Sequence, residues 1–200
     1  MKRLLLLVGM LAMPSFAAVS ANVAFTTDYV WRGMTQSDGP AIQGGFDYEA
    51  DGGFYAGIWG SNVNFNYDPG AGSELDYYAG YGFSMGDVGV DIGYIAFDYP
   101  ENAAGLDFEE IYLGLGYSYF GLTFSSGQDS APDNTEFSVA LGDTGLGLTY
   151  GDYDEYGEYT IISYDLPIAI AGLGVSLSWN DFDSEDGMSD DDTVVVTFSM

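Results

Sequence analysis

The sequence predicts an all-β chain: an antiparallel transmembrane β-barrel of about twelve strands behind a cleaved signal peptide. Three observations predict it. From about residue 23 to the last residue, side chains alternate with a period of two, and no segment keeps a helical period. The two alternating sets are unequal in an unusual way: one is rich in Tyr, Trp and Phe, the other in Gly, Ser, Asp and Glu. The connections run long, short, long, short, which is the rhythm of external loops and periplasmic turns in outer-membrane barrels.

The leader comes first. Lys2 and Arg3 form a positive start, and residues 4–13 are an apolar run. That run is too short to span hydrocarbon, which takes about 20 residues. Val19-Ser20-Ala21 fits a cleavage site, with a cut after Ala17 as the alternative. The chain therefore divides into a signal peptide at 1–21 and a barrel at 22–200, with the cell outer membrane as the expected location.

The first strand is read at about 23–32. It sets Val23, Phe25, Thr27, Tyr29 and Trp31 against Ala24, Thr26, Asp28, Val30 and Arg32. It should pair with the last strand, because a chain made only of strands must close or cover its edges. The second, 41–50, sets Ile42, Phe46 and Tyr48 against Gln43, Asp47 and Glu49. The third, 54–63, holds Trp59 and alternates less cleanly. The fourth, 74–84, opposes Tyr77, Tyr81 and Phe83 to Asp76, Tyr78 and Gly80; the fifth, 88–97, opposes Ile92 and Tyr94 to Asp91 and Gly93. The sixth, 108–119, opposes Ile111, Leu113 and Leu115 to Glu110, Tyr112, Gly114 and Gly116. Segments near 120–127, 135–142, 146–152, 158–166, 173–181 and 193–200 repeat the design. Long connections are expected at 33–40, 64–73, 98–107, 127–134, 152–157 and 181–192. Short ones are expected at 51–53, 85–87, 119–121 and 143–145. The connection at 166–172 is an apolar exception among the short ones.

Composition excludes several functions. The chain has no Cys and no His, which removes disulfides, thiolate chemistry and His-based catalysis. Three Lys and Arg stand against 31 Asp and Glu, a formal net charge of −28. Loss of the leader removes Lys2 and Arg3 and leaves 1 − 31 = −30. Nucleic-acid binding needs basic side chains, so it is not expected. No nucleophile with a base can be assembled, and the chain is not expected to be an enzyme or to hold a cofactor. Strands of this length match tilted membrane spans. The apolar, aromatic set suits lipid, and the acidic and small set suits a lumen.

Several stretches resemble one family. Residues 22–39 (NVAFTTDYVWRGMTQSDG), their continuation AIQGGFDYEADGGFYAGIWGSN, the segment ELDYYAGY at 74–81 and the block YLGLGYSY at 112–119 are similar to the bacterial TorF-like porins. The resemblance implies a conserved outer-membrane barrel of about this length. One departure is the terminus: the barrel-assembly machinery is thought to read a final aromatic, and here Phe198 is followed by Ser199 and Met200.

The expected lumen lining is Asp28, Arg32, Asp47, Asp76, Tyr78, Asp91, Glu110 and Tyr112, with Gln43, Glu49, Glu136 and Asp165 alongside. A lone Arg among carboxylates is most simply an internal ion-pair hub. An acidic lining favours cations over anions. The lumen glycines leave two readings, a water path or room for inward Tyr rings. The loop 180–192 gathers Asp181, Asp183, Glu185, Asp186, Asp190, Asp191 and Asp192; its spacing is no EF-hand, so solvated acid is the plain reading and loose divalent-ion binding the sharper one. The functional expectation is a porin-like channel for small cationic or neutral solutes, in contact with outer-membrane lipid and lipopolysaccharide. The alternative is a non-conducting structural or ligand-binding barrel.

Overall fold

A computed structural model describes residues 18–200 apart from 66–70, 101–104 and 186–189. Of the predicted leader, residues 1–17 therefore lie outside the described residues. The strands are β1 (Ala18–Thr26), β2 (Val30–Trp31), β3 (Met34–Thr35), β4 (Ala41–Glu49), β5 (Phe54–Asn62), β6 (Ser73–Met85), β7 (Val88–Asp98), β8 (Phe108–Tyr117), β9 (Phe120–Gly127), β10 (Asn134–Ala140), β11 (Leu146–Tyr153), β12 (Gly157–Ile170), β13 (Leu173–Ser184) and β14 (Asp191–Ser199). Twelve of them form a closed antiparallel barrel among the described residues; β2 and β3 make a separate hairpin. Closure gives every barrel strand two neighbours. The closing seam is β1 against β14, with Phe25 opposite Phe198 and Thr26 opposite Thr197. Residues 18–21 pair with 46–49 on β4.

The period-two pattern decides the faces. Phe46, Ile92, Leu113, Phe124, Ile162 and Val194 all point outward and are exposed. Exposed aromatics Tyr48, Phe54, Tyr81, Phe83, Tyr117 and Tyr119 gather near one end over β4 to β8 and the turn that follows, and aliphatic Leu141, Leu146, Ile168 and Ile170 are exposed at the same end of the later strands. The inward face carries the buried polar groups, among them Ser61, Glu74, Asp76, Glu110, Asn134 and Asn180. An apolar outside and a polar inside is the arrangement of a membrane-type barrel, inverted from a soluble core.

Two kinds of connection separate the barrel's ends. At the end bearing these aromatics, the chain reverses in tight turns such as Gly86-Asp87 and Ala171-Gly172. At the other end the connections are mostly long. Three details depart from the sequence reading. The first barrel strand ends at Thr26 rather than at 32, because the chain bends inward at Asp28. The exception at 166–172 disappears: β12 runs on to Ile170, with a register shift between Leu166 and Ala169. Pro167 lies in that interval and has no N–H for the ladder, which is where a bulge is expected. The connection at 152–157 shrinks to Asp154, Glu155 and Tyr156, with Glu155 in the left-handed region at φ 68°.

Candidate functional site

The first connection does not leave the barrel. After Thr26 the chain turns inward as a small hairpin, with Val30 opposite Thr35 and Trp31 opposite Met34. Its two turn residues, Arg32 and Gly33, have φ of 48° and 80°. A two-residue hairpin of this hand needs positive φ at both positions, which suits Gly33 and strains Arg32. Asp28 fastens the base: its carboxylate accepts hydrogen bonds from the hydroxyls of Thr35 at 2.8 Å and Ser37 at 2.9 Å. Ser37 in turn accepts the Tyr29 N–H at 2.8 Å.

The hairpin crosses the inside of the barrel at its long-loop end. Trp31 is packed between Phe97 of β7, Phe108 of β8 and Tyr153 of β11, with ring centroids 5.4–5.8 Å away. Tyr29 meets Trp59 of β5 edge-on at 5.3 Å. The backbone of Gly33 lies against Tyr159 and Phe182, and a Cβ there would come within 2.8 Å of the Tyr159 Cβ. The Thr35 N–H donates to Asp191 of β14 at 3.1 Å. Trp31 joins two apolar clusters, one around Tyr29, Phe97 and Tyr99 and one around Tyr153, Tyr159 and Phe182. This half of the barrel is filled with aromatic side chains.

Arg32 holds the tip in place. Its guanidinium donates two parallel bonds to Glu110, at 2.7 and 2.8 Å. Both side chains are buried, at 9% and 3% exposure, so the pair is nearly dry. The same guanidinium lies 4.2 Å from the Trp31 ring and 4.6 Å from the Tyr153 ring. Burial is the largest influence on the Arg32 guanidinium and acts to release its proton; the Glu110 hydrogen bonds and charge outweigh it and hold the proton more firmly than usual. Removing one partner of such a pair costs about 3–5 kcal/mol, because a bare charge stays buried. This bond compensates the strained turn at Arg32.

Toward the tight turns the interior changes character. The Tyr78 hydroxyl donates to Asp47, which also accepts from Asn22 at 3.1 Å. Tyr55 donates to Asp91 at 2.8 Å and shares a hydrogen bond with the Tyr112 hydroxyl. Four inward tyrosines lie over a glycine directly opposite on the next strand: Tyr55 over Gly80, Tyr78 over Gly57, Tyr112 over Gly93 and, nearer the hairpin, Tyr159 over Gly151. A Cβ at any of these four glycines would occupy the ring's place. At Gly116 a Cβ would meet nothing within 4 Å. The lumen glycines thus divide, some seating rings and others leaving space.

The structure places Asp47, Asp76, Tyr78, Asp91, Glu110 and Tyr112 on barrel strands, facing inward. Asp28 and Arg32 lie instead on the inward-folded connection. Tyr29 and Trp31, read as outward, are inside. Glu74, Tyr55, Trp59, Tyr153, Tyr159 and Phe182 complete the interior and were not singled out from the sequence. In the acidic connection, Asp191 accepts from Thr35 and Asp190 accepts the Ser184 N–H at 3.2 Å. Asp186 lies outside the described residues. Among the described residues, no group of three or more Asp or Glu is arranged to hold a metal ion.

The chain belongs to a family described as bacterial protein of unknown function (Gcw_chp), whose model matches residues 12–177. No curated protein matches it.

Proposed function

We propose that the protein is a porin-like channel of the outer membrane whose external mouth is held shut by the β2–β3 hairpin. In this reading the exposed aromatics near the tight turns lie at the periplasmic interface and the long connections face outward, in contact with lipopolysaccharide. The barrel would be inserted by the assembly machinery and would carry out no chemical step. The observation that carries the reading is the hairpin tip clamped to Glu110 inside the barrel, with Asp47 and Asp91 among the inward groups below it. An interior of Asp47, Asp91 and Asp165 favours small cations or neutral solutes over anions. The lumen of an outer-membrane barrel can be plugged by one of its own loops.

The test is conductance in a planar bilayer. Wild-type protein should give few or no steps. A variant with residues 29–36 replaced by a short Gly-Ser link should give discrete steps with a cation-selective reversal potential. Silence in both, with each barrel folded, would favour the alternative of a non-conducting structural or ligand-binding barrel.

A further inference from the structure

We propose that Glu74 and Asp76 form a binding site for a hard divalent cation, of the calcium type, on the inner wall of β6. The two residues are two positions apart on one strand and so share the inward face. They are 1% and 6% exposed. Glu74 Oε2 and Asp76 Oδ1 are buried oxygens that no donor group of another residue meets, and the two carboxyls lie against each other, close enough to share a proton or a cation. The other Glu74 oxygen accepts the Tyr29 hydroxyl at 2.8 Å.

A buried carboxylate is costly unless a positive charge or a set of donors meets it. This chain has little positive charge to offer. It has three Lys and Arg in all. Lys2 and Arg3 lie in the predicted leader, and Arg32 is committed to Glu110 at 2.7 Å. A divalent cation neutralises both carboxylates at once, and oxygen-only coordination is the preference of calcium and its relatives. The surroundings add oxygen donors. The Tyr29 hydroxyl reaches Glu74 at 2.8 Å, and the Tyr99 hydroxyl stands at the same carboxylate. Trp59 sits opposite Asp76 in the β5–β6 register and packs on Tyr29. An occupied site would tie the wall to the base of the hairpin, whether or not the barrel conducts.

The experiment uses the full mature chain folded in detergent and stripped with chelator. Terbium is added as the probe, with Trp59 as the sensitiser, and melting temperature is followed with added calcium. Wild-type protein should show sensitised emission that calcium displaces, and calcium should raise its melting temperature. Glu74→Gln with Asp76→Asn should lose both responses. In chelator this variant should melt higher than wild type, because its buried charges are gone, which separates loss of the site from loss of the fold. Trp59→Phe should lose most emission and keep the calcium shift. Replacing the exposed acids Asp183, Glu185 and Asp192 by amides should change neither response. The proposal is overturned if the Glu74/Asp76 variant binds as wild type does. It is also overturned if the response follows the exposed acids, or if the stripped wild type is stabilised by acidification and by no cation, which would mean a shared proton.

Discussion

The two halves of this barrel solve the problem of an interior in opposite ways. The long-loop half is filled: a hairpin from the first connection brings Tyr29 and Trp31 against Trp59, Phe97, Phe108 and Tyr153, and two aromatic clusters result. The tight-turn half is lined: tyrosines lie flat on glycines and hydrogen-bond to Asp47 and Asp91, and open space remains at Gly116. One half resembles a soluble core enclosed in a β-wall, and the other a polar vestibule. The filled half leaves little room beside its rings, and the lined half keeps some open space at Gly116.

Substitutions should separate the halves by size of effect. The largest effect belongs to the filled half. Trp31→Ala removes the partly buried ring that joins the two clusters; truncating a fully buried aromatic costs about 3–5 kcal/mol, so the loss here should be about 3 kcal/mol, and a chemical-denaturation midpoint measured in micelles should fall accordingly. Glu110→Gln should cost a comparable amount, about 3–5 kcal/mol, by leaving Arg32 buried without its partner. The pair replaced together, Arg32→Met with Glu110→Leu, should recover most of that loss, since well-packed apolar residues often substitute for a buried ion pair. If the single variant were as stable as wild type, Arg32 would not be clamped in a dry interior.

Smaller effects test the lined half. Gly93→Ala would push a Cβ into the Tyr112 ring and should cost about 1–3 kcal/mol through overpacking. Gly116→Ala, in open space, should be neutral or gain about 0.5 kcal/mol from the reduced freedom of the unfolded chain. Equal costs at the two glycines would mean that rings and space are not partitioned as described. Tyr78→Phe removes one hydrogen bond to Asp47 and should cost about 1 kcal/mol, read from the same denaturation curves.

The wall was legible in the sequence because a strand's two faces are written in its alternate residues. That is why Asp76, Glu110 and Leu113 could be assigned a side. The hairpin was not legible by the same rule. Phe25, Thr27, Tyr29 and Trp31 keep their alternation straight through a bend, so periodicity alone extends β1 past its end at Thr26. The local signal lay elsewhere: Arg32-Gly33 is a two-residue turn between Val30-Trp31 and Met34-Thr35, and Asp28 is followed by hydroxyls able to tie the base. The pairing of tyrosines with glycines depends on strand register. Tyr112 finds Gly93 across the ladder, nineteen residues back in sequence, and no local pattern states that. Glu74 was passed over because it stands at the first turn-in of its strand, where a loop acid and a lumen acid look alike.

The seat of the hairpin inside the wall is what the rest depends on, and a cross-link tests it most directly. The chain has no cysteine, so a pair can be introduced without competition. A Cβ at Gly33 would lie 3.1 Å from the Phe182 Cβ and 2.8 Å from the Tyr159 Cβ, closer than the about 3.5–4.5 Å of a disulfide, so the tip must back off by a few tenths of an ångström to form one. With Gly33→Cys and Phe182→Cys together, mild oxidation of the folded protein in membranes should close the bond in most molecules. It should also protect both thiols from a membrane-impermeant maleimide. Free, fully labelled thiols at position 33 in folded barrels would place the hairpin outside the lumen and contradict the account.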